Sequence, residues 1–264
     1  MTDRYAVIGH PVAHSRSPWI HAEFAQACRQ DMEYGRIDAA PGGFAAAADA
    51  FRAAGGKGLN VTLPFKEDAF RYCARTSDRA RDAQAVNTIA FDAGPFGDNT
   101  DGVGLVRDLE ANLAFALAGR SVLLMGAGGA AQGVAGALLA AGIARLVVAN
   151  RTAARAQALA ARFTGVKGCG YSALEGRFDL VVNATSAGLA GESPDLPAGI
   201  LRAGVLAYDM VYGRDTPFLS AARVAGARAC DGLGMLVEQA AESFFIWRGV
   251  RPETRAVLAR LRAG

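Results

Sequence analysis

Two kinds of apolar pattern alternate along the chain. Short runs rich in apolar and β-branched residues predict strands at 5–9, 34–37, 58–61, 87–91, 121–125, 145–149, 179–183 and 205–209. Ala-rich stretches of helical character lie between them, at 18–29, 43–54, 101–116, 130–141, 153–163 and 217–225. Two closing helices are expected at about 232–247 and 252–262. Such alternation implies mostly parallel sheet covered by helices. Eight strands are more than one compact layer needs, so the pattern predicts an α/β fold of two domains with a cleft between them.

The stretch from 121 to 144 carries no charge over 24 residues, long enough to cross a bilayer. Six glycines interrupt it, and GAGG follows VLLM directly, so a strand, a tight turn and a buried helix explain it better. The apolar run near the N-terminus is too short for a signal-peptide core. With 28 basic against 25 acidic residues, charge recommends neither nucleic acid nor a membrane surface as a partner. Four cysteines without close spacing suggest neither zinc nor a disulfide framework, and favour buried, reduced thiols in a cytoplasmic protein. Glycine is in excess, 32 of 264 residues, or about 12% against a usual ~7%. Gly9, Gly58, Gly97, Gly102, Gly126, Gly128, Gly129, Gly232 and Gly234 are expected where backbone must approach ligand.

Gly126-Ala127-Gly128-Gly129-Ala130-Ala131 ends a predicted strand and opens a predicted helix, fitting G-x-G-x-x-G/A in its required context. The first glycine serves the tight turn, the second lets backbone approach a pyrophosphate, and helix N–H groups face the anion. An NAD enzyme would place an acidic residue at the end of the next strand. Here the chain reads Asn150-Arg151-Thr152-Ala153-Ala154-Arg155, and no Asp or Glu occurs between Ala111 and Leu174. Guanidinium groups bind a 2′-phosphate that a carboxylate would repel, so the segment predicts NADP.

The first hundred residues carry a different polar set. Ser17 is expected to cap a helix with Pro18 at its first position. In the 60–66 segment a strand leads through Pro64 to Lys66 at a helix start, where a lysine opposes the helix dipole and a site is the better reason for it. Asn87 and the 97–102 segment add amides, hydroxyls and carboxylates. Asp101 is equally suited to capping the helix that follows it.

These segments together resemble the shikimate dehydrogenase family from Tyr5 to about Val250. The resemblance rests on GHPVAHSRSP at 9–18, GLNVTLPFK at 58–66, AVNT at 85–88, GDNTDG at 97–102, GAGGA at 126–130, NRT at 150–152, NATSAG at 183–188, DMVY at 209–212 and DGLGMLVEQAA at 231–241. It implies an N-terminal α/β substrate domain over 1–103, completed by helices within 233–264, and a Rossmann-type doubly wound NADP-binding domain over 104–232. The implied reaction is reversible, NADP-linked interconversion of shikimate and 3-dehydroshikimate. By the resemblance, Ser15, Ser17, Asn60, Thr62, Asn87, Asp101, Gln239 and Tyr212 bind substrate. Lys66 is the family's catalytic lysine, and catalysis is assigned to Lys66 with Asp101. Gly126, Ala127, Gly128, Gly129, Ala130, Asn150, Arg151, Thr152, Arg155, Met210 and Gly232 match cofactor positions, as does Asp78, for which no physical argument is at hand. After Tyr212 the chain lacks the proline often found there.

No metal is required for this chemistry, and Ser, Thr, Asn and Gln suit a polyol because each ring hydroxyl both donates and accepts. The three early histidines, His10, His14 and His21, have no further partner at metal spacing. The arginines at 248, 251, 255, 260 and 262 are expected on a solvated last helix. A small-molecule substrate, a monomer or homodimer, and closure of the two domains on their ligands complete the expectation. The competing readings are a quinate/shikimate dehydrogenase and a non-catalytic NADPH-sensing module.

Overall fold

The computed structural model describes residues 2–192 and 194–263. In chain order its regular elements begin with β1 (Asp3–Gly9), α1 (Ser17–Ala27), β2 (Met32–Asp38), α2 (Phe44–Ala53), β3 (Gly56–Val61), α3 (Lys66–Tyr72), β4 (Arg75–Thr76), α4 (Asp78–Ala83), β5 (Thr88–Ala90), β6 (Phe96–Asp98) and α5 (Asp101–Arg107). They continue with β7 (Ser121–Met125), α6 (Gly129–Ala140), β8 (Arg145–Ala149), α7 (Ala153–Ala160), β9 (Lys167–Cys169), β10 (Leu180–Asn183), β11 (Leu206–Asp209), α8 (Pro217–Val224), β12 (Arg228–Asp231), α9 (Leu233–Arg248) and α10 (Arg255–Ala263). Two compact units result, one running to Leu105 and resuming at Leu236, the other spanning Val106–Met235.

The first unit holds a six-stranded sheet of order β2-β1-β3-β5-β6-β4. It is mixed: β1 runs parallel to β2 and β3, whereas β5 is antiparallel to both of its neighbours. Central strands β1 and β3 are almost wholly buried, while edge strand β2 alternates between partly buried and exposed positions. Ile8, Leu59, Val61, Phe65 and Ile89 are core residues there. The second unit holds six parallel strands in the order β12-β11-β10-β7-β8-β9, with the direction of winding reversing between β7 and β10. This is the doubly wound arrangement, whose ligands sit at the carboxyl ends of the strands beside the switch point. The uncharged run becomes β7, its turn and α6, and among the described residues no helix is long and apolar enough to cross a membrane.

The predicted pattern misses β4, β6, β9 and β12, strands of two to four residues whose apolar runs are too short to register. The helix expected over 101–116 stops at Arg107 and passes into a π-helical turn, Asp108–Asn112. A buried carboxylate accounts for the change: Asp108 accepts the Tyr208 hydroxyl at 2.6 Å and the Asn112 amide at 2.9 Å. Two further local expectations are corrected. Ser17 does not cap α1; it is the first helical residue, and its N–H donates to the Ser15 hydroxyl at 3.3 Å. The thiols are free, but only Cys169 is buried.

Several of the singled-out glycines are also required by packing. A Cβ on Gly58 would meet the Trp247 indole at 2.5 Å, on Gly97 the Val86 side chain at 2.6 Å, and on Gly9 the Thr62 methyl. On Gly232 it would meet the Met210 carbonyl, and on Gly234 the Asp108 carboxylate. At these five positions the lack of a side chain lets protein segments approach one another closely. Gly128 differs, because nothing lies within 4 Å of the place its Cβ would take.

Candidate active site

In the first unit the carboxyl ends of β1 and β3, the turn into α3, the loops flanking β5 and β6, and one face of α9 supply a connected polar cluster. Lys66 begins α3, and its Nζ donates to Asp101 Oδ2 at 2.5 Å, the two side chains being 15% and 6% exposed. Asn87 Nδ2 donates to the other carboxylate oxygen at 2.8 Å and to Thr100 Oγ1 at 2.9 Å. Its Oδ1 receives the Thr100 N–H at 2.8 Å and the Thr88 hydroxyl at 2.9 Å. Asp101 therefore serves the cluster rather than the start of α5. That loop is shaped by Asn99, whose Oδ1 accepts the Asp101 N–H and whose Nδ2 donates to Ala85 O.

Behind this layer sits Asn60. Its Nδ2 lies 2.9 Å from Ser243 Oγ and 3.2 Å from both Asn87 O and Thr88 Oγ1, while Oδ1 accepts from Tyr34 OH at 2.7 Å. A carbonyl on the Nδ2 side fixes the amide orientation, so Oδ1 can only accept and His21 must present Nε2–H to it, 3.2 Å away. His21 is fully buried and stacks on Tyr34 with ring centroids 4.2 Å apart. Burial pushes its imidazole down to about 3, opposed by the Asn60 bond, so the ring is neutral. Gln239 Oε1 lies 3.4 Å from both Asn87 Nδ2 and Thr100 Oγ1. The Thr62 hydroxyl makes no hydrogen bond among the described residues.

The cluster thus unites Lys66, Asp101, Asn87, Asn60 and Gln239, with Ser17 near enough to the Tyr34 hydroxyl to act on it. Asp78 stands apart, its side chain 90% exposed and paired with Arg81. Sequence reasoning missed Thr88, Thr100, Tyr34 and Ser243. Thr88 and Thr100 lie inside the AVNT and GDNTDG segments, and Ser243 is one helical turn beyond Gln239 on the same face. It also missed Arg79, which holds Asp98 through two nitrogens at 2.6 and 2.8 Å and reaches Glu242 at 3.2 Å, tying the loop before Asp101 to α4 and α9. Two residues so distant in sequence leave no pattern to read.

The second unit presents backbone instead. Gly126 takes φ +107° as β7 leaves the sheet, and a Cβ there would meet Ala184 O at 2.9 Å. Gly128 precedes α6 with no side-chain cap, so the first N–H groups of a 12-residue helix have no side-chain acceptor there, and nothing lies within 4 Å of the place a Cβ on Gly128 would take. At the end of β8, Asn150 turns back to Thr152 O at 3.0 Å, and Arg151 and Arg155 are exposed without an ion pair among the described residues. Tyr171 is close enough to Arg151 to feel its charge, though burial dominates and pushes the phenol up to about 12. Beyond β10 and β11, buried Asp209 accepts the Thr216 hydroxyl at 2.6 Å and the Val211 N–H at 3.0 Å, and burial raises its carboxyl. Met210 N–H donates to Asn183 O at 2.9 Å, and Gly232 admits the Met210 carbonyl. An anion cradle next to unpaired guanidinium groups suits a 2′-phosphorylated dinucleotide.

Comparison with known proteins agrees with both halves. Residues 7–89 match the shikimate dehydrogenase substrate binding domain, 109–190 the shikimate / quinate 5-dehydrogenase family, and 232–262 the shikimate 5'-dehydrogenase C-terminal domain. The chain is 56% identical over 268 residues to shikimate dehydrogenase (NADP(+)) of Methylobacillus flagellatus, covering 99% of each. Among solved structures it is similar to the Ael1 enzyme from Pseudomonas putida, with TM-score 0.92, 51% identity and 98% of each chain covered. It is similar also to shikimate 5-dehydrogenase from Thermus thermophilus in complex with NADP(H) and shikimate, with TM-score 0.88, 36% identity and 99% of each chain covered.

Proposed function

Because the chain belongs to the shikimate dehydrogenase family, we infer that it catalyses the reversible, NADP-linked oxidation of shikimate to 3-dehydroshikimate. The observation that carries this reading is the partly buried Lys66–Asp101 pair held by Asn87, an acid/base couple set in a wall of amides and hydroxyls. NADPH, when bound, supplies the hydride for the reductive direction. Lys66 Nζ gives a proton to the oxygen that becomes the hydroxyl, and takes it back in the oxidative direction. Asp101 fixes the ammonium at that point, and Asn87 keeps the carboxylate turned toward it. Ser15, Ser17, Thr62, Asn87 and Gln239 bond the ring hydroxyls and carboxylate, with Tyr212 serving the same ligand. Asn60, whose amide already reaches Asn87, Thr88 and Ser243, orients that layer. A site built to bond hydroxyls rejects analogues lacking them, because its own groups would be left unpaired.

The residues of the second unit fit the cofactor. The open backbone at Gly128 and the start of α6 receive the pyrophosphate. Arg151 and Arg155 receive the 2′-phosphate, with Asn150 and Thr152 shaping that turn, while Met210 and Gly232 border the nicotinamide end. The test is an initial-rate comparison of shikimate and quinate with NADP and NAD, followed by the absorbance of the reduced nicotinamide, NADPH or NADH. Shikimate with NADP is expected to be fastest, and faster turnover of quinate with NAD would reverse the assignment.

A further inference from the structure

Edge strand β2 carries two residues that reach toward the loop before α1. Tyr34 and Arg36, two apart, share one face of the strand. Tyr34 OH bonds Asn60 and interacts with Ser17, and Arg36 Nη2 donates to the Ser15 carbonyl at 2.7 Å. Asp38, next on that face, is engaged by His10 Nδ1 at 2.7 Å, and Arg36 makes no ion pair among the described residues. Burial pushes the Tyr34 phenol well above its ordinary value, with Ser17 and Arg36 acting in the opposite direction, which puts the guanidinium within electrostatic reach of that hydroxyl. The side chains of that loop and of Tyr34 and its partner, Ser15, Ser17 and Asn60, are all neutral. Lys66, the other cation of the cluster, is committed to Asp101.

We propose that Arg36 is a specificity-determining residue, which holds the Ser15–Ser17 loop by the Ser15 carbonyl and supplies the positive charge that selects a carboxylate there. Neutral hydroxyls can bond a carboxylate but discriminate weakly between it and an uncharged ester or amide. A guanidinium anchored to the same loop adds a charge preference, and its remaining N–H groups still point outward from one planar fork. The inference rests on the proposed shikimate dehydrogenase activity, since it names the part of that substrate that Arg36 reads.

The test compares shikimate with its methyl ester in the wild type, Arg36→Gln and Arg36→Lys, with thermal unfolding confirming that each variant is folded. Arg36→Gln keeps a donor for the loop but removes the charge. Its KM for shikimate is expected to rise roughly fivefold, the scale of one solvent-accessible ion pair, with little change in kcat or in KM for NADP. KM for the ester should move far less, so the acid-over-ester preference falls, and Arg36→Lys should restore most of it. Added salt should raise KM for shikimate in the wild type and much less in Arg36→Gln. An unchanged acid-over-ester preference in Arg36→Gln overturns the proposal, as does an equal loss for acid and ester, which would make Arg36 a loop support alone. Failure of the wild type to oxidise shikimate at all would instead overturn the activity on which the inference stands.

Discussion

The two units do opposite things with their polar groups. The nucleotide unit offers backbone: a turn at Gly126, an open face at Gly128 and the uncapped start of α6, all at the end of a parallel sheet. The substrate unit offers side chains, and nearly every one is engaged by another before any ligand arrives. Asn60, Asn87, Thr88, Thr100, Ser243 and Asp101 are all buried, and each is bonded to at least two of its neighbours or their backbone. A backbone cradle tolerates changes in the side chains around it but not a Cβ at its turn. A buried side-chain network tolerates neither truncation nor a proton in the wrong place, because an orphaned polar group loses its full desolvation energy.

Three measurements put that contrast at risk, the largest effect first. Lys66→Ala removes the proposed proton donor from the substrate unit and should cost turnover ~10²- to 10⁴-fold while leaving NADPH affinity near normal by fluorescence titration. Turnover equal to wild type would take Lys66 out of the mechanism. Acid provides the second. The His21 imidazole titrates near 3 when folded against an ordinary 6.5, so below 6.5 the unfolded chain takes up a proton that the folded one refuses. Stability is then present above that ordinary value and falls as pH drops toward 3, by ~1.4 kcal/mol per pH unit from this group. Both tryptophans, Trp19 and Trp247, belong to the substrate unit, so denaturant titrations followed by their fluorescence at pH 7 and pH 5 report on that unit. His21→Gln should flatten the difference, and an undiminished pH dependence in that variant would place its origin elsewhere. The smallest effect concerns the nucleotide unit. Gly126→Ala forces an L-residue to φ +107° against Ala184 O, a strain on the order of 1–3 kcal/mol, and should weaken NADPH binding about tenfold with shikimate binding unaffected. Normal NADPH affinity in this variant would show that the turn has room to relax.

The same contrast governs what the sequence discloses. GAGGA works through local chain geometry, so five adjacent letters between a strand and a helix carry the cradle, and β7, α6 and β8 fall within a residue of their expected bounds. Lys66, Asn87 and Asp101 could be suspected only as polar residues at strand ends, and their common purpose came from the resemblance. Their meeting depends on packing of α3, β5, α5 and α9, with Ser243 more than 150 residues from Thr88. Burial of Asp108 shortened the helix expected to reach 116, because a tertiary bond to Tyr208 overrode a helical pattern. The basic end of the chain reads as a solvated face, and Arg251, Arg255, Arg260 and Arg262 are exposed; what the pattern does not disclose is that Arg248 pairs with Asp3 and Arg260 with Glu23, fastening α9 and α10 to the unit they complete.

That completion sets an order of events during synthesis. The nucleotide unit is contiguous in sequence, and every residue of it has been made by Met235. The substrate unit begins first but waits for α9, because Gln239 and Ser243 bond groups laid down as early as Asn60. On the ribosome the earlier half of the protein is therefore the later to close. Until α9 emerges, Asn60, Thr88 and Asn87 lack these partners, and their polar groups have only water to bond in their place.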